Sequence, residues 1–114
     1  MMIKIYHNPR CRKSRETLEL IREAGHEPEI IEYLQNPPTE SELKELLERM
    51  DKEPLEIIRK GEEIFKSKYK GKTFPDSEWI KIMVENPKLI ERPIVVKGKQ
   101  VILGRPPENV KDIL

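Results

Sequence analysis

At 114 residues the chain has the length of one domain built on one core. Charged residues make up 38% of it and hydrophobic residues 36%, with Lys+Arg 22 against Asp+Glu 21, so its surface is dense but balanced in charge and argues against a nucleic-acid or membrane partner. No apolar run reaches the length of a membrane span and MMIKIYHNP has no secretory pattern, so the expectation is a cytoplasmic monomer. The single cysteine, Cys11, excludes an internal disulfide, and with only His7 and His26 beside it no metal site is expected.

Met2-Ile3-Lys4-Ile5-Tyr6 alternates at strand period, and Asn8-Pro9 ends the strand at about His7 because a residue preceding proline avoids the helical region. From Cys11 to Ala24 the spacing turns helical, with Leu18, Leu20, Ile21 and Ala24 apolar and Gly25 as the stop. Glu29 to Leu34 reads as a second strand, closing a β-α-β unit, and Asn36-Pro37-Pro38 ends it. Thr39-Glu40-Ser41-Glu42 is a capping box that opens a helix to Met50 through Leu43, Leu46 and Leu47. Pro54 opens a short helical segment, through Leu55 and Ile58, that carries Arg59. Lys66 to Lys72 reads as a basic loop, and Pro75-Asp76-Ser77-Glu78 then starts a helix with Trp79, Ile80, Met83 and Val84, stopped by Asn86-Pro87. Ile94 to Leu103 is a hairpin turning near Gly98, and Pro106-Pro107 begins a last helix with Val110, Ile113 and Leu114 on one face.

This order implies an α/β, thioredoxin-like four-stranded mixed sheet flanked by helices. A helical insertion, about residues 39–90, falls between the β-α-β unit and the C-terminal β-hairpin of the single domain. Pro93, just before the hairpin, occupies the place where that fold puts a cis-proline facing the helix-terminal thiol.

Cys11 sits at the first turn of a helix. A free thiol titrates at about 8.5, and a helix N-terminus or nearby cations lower that value, because unpaired N–H groups and positive charge stabilise the thiolate. Arg10, Arg12, Lys13 and Arg15 supply nearby cations, and the same features bind oxyanions. Ser14, one turn on, can offer its hydroxyl to the sulfur, and His7 is a candidate for tuning the thiolate or for a structural hydrogen bond. A buried, inert cysteine is the alternative, and four flanking cations suit an apolar pocket poorly. The dithiol C-x-x-C motif fails because Ser14 stands where the second cysteine would be, so resolution falls to an outside thiol. A phosphatase-type loop of cysteine, five residues and arginine fails as well, since Thr17 occupies the arginine position.

Three stretches carry a resemblance: Ile5-Tyr6-His7-Asn8-Pro9-Arg10-Cys11 with Ser14-Arg15, Glu91-Arg92-Pro93-Ile94-Val95-Val96, and Gly104-Arg105-Pro106-Pro107. Together they resemble the glutaredoxin-coupled arsenate reductases, thioredoxin-like proteins with one catalytic cysteine, in their short subgroup; the likeness runs from Ile3 to the C-terminus. The resemblance implies Cys11 as the nucleophile that attacks arsenate, with Arg59, Arg92 and Arg105 holding the oxyanion. Guanidinium forks suit that task, although charge content alone would leave each arginine a solvated surface cation. Glutathione as co-substrate would attack the arsenic adduct, glutaredoxin would break the later mixed disulfide, and no cofactor would be bound. Two alternatives stay open: a thiol exchanger or reductase of another oxyanion on the same site, and a redox regulator that binds RNA polymerase. Regulators of that kind typically carry C-x-x-C, which this chain lacks.

Overall fold

The computed structural model describes residues 2–114, which group into two compact units. One comprises the segment ending at Asn36 together with Arg92–Leu114; the other is Pro37–Glu91.

The first unit holds the sheet. Strand β1 (Ile3–His7) leads into helix α1 (Arg12–Glu23) and strand β2 (Glu29–Glu32), and strands β3 (Ile94–Lys97) and β4 (Gln100–Leu103) form the hairpin. The order across the sheet is β2-β1-β3-β4. β1 runs parallel to β2, with Ile5 opposite Ile30, and antiparallel to β3, with Ile5 opposite Val95. A parallel pair needs a crossover, and α1 supplies it. Alternation along β1 sends Ile3 and Ile5 into a cluster with Leu18, Ile21, Val95, Val110 and Ile113, while Lys4 stays exposed. Burying each large aliphatic side chain there contributes about 1.5–3 kcal/mol. The hairpin turns through Gly98, whose φ of 61° favours glycine. The architecture is therefore an α/β, thioredoxin-like mixed sheet.

Two expectations in this unit need correction. β2 stops at Glu32, and Tyr33-Leu34 belong to a turn in which Gln35 N–H and Asn36 N–H both donate to Glu32 O. The last element, Pro107–Asp112, is a 3-10 helix rather than an α-helix, although Val110 and Ile113 do face the core. A six-residue segment that opens with proline has few bonds to gain from the α form, and the contacts of Val110 and Ile113 decide its placement.

The second unit is helical. Helix α2 (Glu40–Met50) begins at the Thr39 capping box: Glu42 N–H donates to Thr39 Oγ1 at 3.1 Å, and Thr39 N–H donates to Glu42 Oε1 at 2.9 Å. Helix α3 (Glu63–Lys68) and helix α4 (Asp76–Glu85) follow, and the unit's core includes Leu43, Leu47, Ile57, Trp79, Met83, Leu89 and Ile90. Helix α3 replaces part of the loop expected over Lys66 to Lys72. Buried Phe65 stacks near Trp79, with ring centroids 6.3 Å apart, and Tyr69 and Phe74 meet the same indole edge-on at 6.3 and 5.0 Å. That aromatic packing outweighs the weak local signal. The segment from Pro54 is a 3-10 turn that ends at Glu56, so Arg59 is not on a helix. It follows Ile58, which forms an antiparallel bridge with Ile90, and Arg59 N–H donates to Leu89 O at 2.7 Å.

Candidate active site around Cys11

The loop between β1 and α1 places the thiol. Asn8-Pro9 ends the strand, Arg10 N–H donates to Asn8 Oδ1 at 3.0 Å, and Cys11 N–H donates to Asn8 O at 3.0 Å. The asparagine thus mimics a backbone turn and delivers the chain into the helix. Arg15 Nη1 donates to Pro9 O at 2.9 Å and braces the same loop. Cys11 is the N-cap of α1, with extended φ −93° and ψ 120°, and its residue is 8% exposed.

Burial pushes the Cys11 thiol up, but the groups around it reverse that effect. The Ser14 backbone N–H, a hydrogen bond from the Arg92 side chain, the Arg92 charge and the Lys13 backbone N–H together bring its pKa below the ordinary value. Each favours the thiolate, the form that acts as nucleophile. Arg105 adds a longer contact: its Nη1 lies 3.8 Å from Sγ and 3.4 Å from Arg92 O, to which it donates. Both arginines are half-buried. The peptide bonds that follow them, Arg92–Pro93 and Arg105–Pro106, are both cis.

The expected link from the Ser14 hydroxyl to the sulfur gives way to a different arrangement. Ser14 is fully buried, and its Oγ lies 2.6 Å from His7 Nδ1 and accepts from Asn8 N–H at 3.1 Å. The hydroxyl proton is then available to Nδ1 of a neutral imidazole. What Ser14 offers the thiol is its backbone N–H. His7 is buried, and burial lowers its pKa, with Arg22 and Arg15 acting in the same direction against Glu32. The contact of His7 with the site runs through the Ser14 hydroxyl.

Thr17, in the position where a phosphatase-type loop would need arginine, is buried, and its hydroxyl donates to Lys13 O at 2.9 Å and reaches Gly104 O at 3.3 Å. Gly104 N–H in turn donates to Pro93 O at 2.8 Å. A Cβ at Gly104 would lie 2.8 Å from Thr17 Oγ1 and 2.9 Å from Pro93 Cγ. The glycine thus lets α1, the loop before β3 and the end of β4 approach one another, which brings Arg92 and Arg105 to the thiol.

Cys11, Arg92, Arg105, Ser14, His7 and Pro93 all belong to the sheet-bearing unit. Arg59 belongs to the helical unit, where its Nη1 is 3.2 Å from Glu62 Oε2 and its Nε is 3.6 Å from Glu91 Oε1. The helix N–H groups expected at the thiol are those of Lys13 and Ser14, whereas sequence reading missed the turn role of Asn8 and the tight contact at Gly104. Asn-Pro before a helix was the available signal for Asn8. Nothing in the spacing marked Gly104. Among the described residues no group of three or more His, Cys, Asp or Glu side chains could hold a metal ion, and no helix is long and apolar enough to cross a membrane.

A thiolate flanked by two guanidinium groups and helix N–H donors can bind a tetrahedral oxyanion and attack it. Comparison with known proteins places the chain beside arsenate reductases. The pattern of the ArsC family matches residues 6–113. An arsenate reductase of Yersinia enterocolitica is 46% identical over 98% of this chain and 80% of its own length. The uncharacterized protein YfgD of Escherichia coli K12 is 44% identical, over 98% of this chain and 96% of its own. Among solved structures, an arsenate reductase from Vibrio cholerae superposes with a TM-score of 0.95 at 45% identity, covering 100% of this chain and 98% of that one.

Proposed function

The chain belongs to the ArsC family, and on that premise we propose that it reduces arsenate to arsenite by covalent catalysis at Cys11. The observation that carries this reading is the Cys11 thiol with a pKa lowered in part by Arg92, and with Arg105 Nη1 3.8 Å from its sulfur. Arsenate brings negative charge toward a thiolate, and the two anions repel unless cations lie between them. Arg92 and Arg105 offset that charge, and the helix N–H groups hold the sulfur in its reactive form.

In the proposed sequence the thiolate attacks arsenic and displaces water, giving a Cys11–S–As(V) adduct. Glutathione attacks that adduct and supplies the electrons for reduction to arsenite; this leaves a Cys11–glutathione disulfide, which glutaredoxin reduces. The outside thiol follows from the serine at position 14, since Cys11 is the chain's only cysteine. The test is arsenite formation in a glutathione and glutaredoxin coupled assay. The wild-type chain is expected to turn over. In a single-turnover experiment Cys11→Ser is expected to form no arsenite above background, and appreciable arsenite from that variant would sink the mechanism.

A further inference from the structure

Four cations crowd the thiol in sequence, yet the main charge acting on the reactive sulfur comes from elsewhere. Arg10, Arg12, Lys13 and Arg15 are all exposed, and the charge that lowers the Cys11 pKa is that of Arg92. Two of the four have a task within the fold: Arg12 pairs with Glu16 at 3.0 Å, and Arg15 holds the Pro9 carbonyl. Arg10 and Lys13 make no side-chain hydrogen bond or ion pair with any described residue. Their attachment points are nonetheless fixed beside the sulfur. The Arg10 N–H is held by Asn8 Oδ1, and the Lys13 N–H is one of the donors to the thiol. The chain is otherwise balanced in charge, yet its first acidic residue is Glu16, so no acidic residue precedes these two cations or lies between them in the chain.

We propose that Arg10 and Lys13 select the outside thiol, binding the carboxylates of an anionic peptide thiol such as glutathione as it meets Cys11. The proposal deepens the reading above and rests on its requirement that an external thiol turns Cys11 over. Two exposed cations next to a buried, reactive thiol in the chain raise the local concentration of an anionic reactant and leave a neutral one unaffected. Arg92 and Arg105 remain for the oxyanion, so each reactant meets its own cations.

Thiol–disulfide exchange isolates this effect from arsenate chemistry. The Cys11 thiolate attacks one sulfur of a symmetric disulfide, the S–S bond breaks, a Cys11–S–S–R bond forms, and the second sulfur leaves as a thiolate with the electron pair. No further oxidant or reductant is needed. Rates are measured on the full chain with the disulfides of glutathione, 2-mercaptoethanol and cysteamine, which are anionic, neutral and cationic. The same thiolate attacks all three, so a change in its pKa cancels from their ratios. The wild-type chain is expected to favour the anionic disulfide over the cationic one. Arg10→Gln combined with Lys13→Gln is expected to lower that preference by about fivefold or more at ~10 mM salt, and the difference should vanish near ~1 M, where the screening length is about 3 Å. A preference unchanged within about twofold, or a change that survives ~1 M salt, overturns the proposal. Arsenate takes no part in this exchange, so an inactive wild-type chain in the arsenite assay would remove the function proposed above and leave this comparison standing.

Discussion

The thiol of Cys11 shows how little of a reactive residue's environment comes from its sequence neighbours. The adjacent cations contribute less to its charge state than Arg92, eighty-one positions away, and two peptide N–H groups of α1. If Arg92 holds the thiolate, Arg92→Gln should move the midpoint of Cys11 alkylation with pH upward from its wild-type value; an unchanged midpoint would assign the effect to the helix alone. His7 makes the opposite demand. It is buried with its pKa below the ordinary imidazole value of 6.5, so in the unfolded chain it takes its proton first. Stability should therefore fall as pH drops below about 6.5, with the loss complete once pH passes the folded pKa. Urea titrations between pH 7 and 5 check this: His7→Gln should show a flatter dependence than the wild type, and an equal slope would rule out His7 as the source.

Helix α1, the hairpin and the loop before β3 meet at Gly104, where no side chain fits. Gly104→Ala is expected to destabilise the protein by about 1–3 kcal/mol, because Thr17 and the Pro93 ring must both move to admit the methyl group. It should also slow alkylation of Cys11, since the same shift displaces Arg92 and Arg105. Loss of stability by thermal melting with an unaltered alkylation rate would separate packing from the site. Helices with strong local signals appear where the pattern puts them: the Thr39 capping box starts α2, and the apolar spacing of Leu18 and Ile21 sets the buried face of α1. Elements without such signals do not. Helix α3 depends on Phe65 finding Trp79, and the turn at Tyr33-Leu34 cuts short a run that reads as strand. A ring contact fourteen residues away in the first case, and local hydrogen bonds to Glu32 O in the second, outweigh a propensity worth a few tenths of a kcal/mol per residue.

Over the whole molecule, apolar burial and not ion pairing carries stability, despite a composition that is 38% charged. The Arg12–Glu16 pair is exposed on both sides, at 83% and 40%, whereas Ile5 in the sheet unit and Leu43 in the helical unit are each 0% exposed. Ile5→Ala and Leu43→Ala should each cost about 2–5 kcal/mol in urea unfolding, and Glu16→Gln should leave the midpoint within error. Comparable losses from all three would mean that charge pairs matter more than burial. The sequence by itself determined the strand order, helices α1, α2 and α4, the mixed sheet, the helix-terminal position of Cys11 and the lack of a second cysteine to pair with it, because periodicity, caps and cysteine count are read directly from the chain. Only the tertiary structure decided which cation lowers the thiol's pKa, that the Ser14 hydroxyl turns to His7, that Arg59 is held by Glu62 and Glu91, and why position 104 must be glycine. Hydrogen bonding, desolvation and steric contact act over a few ångströms between residues far apart in the chain, and a linear pattern carries no record of those distances.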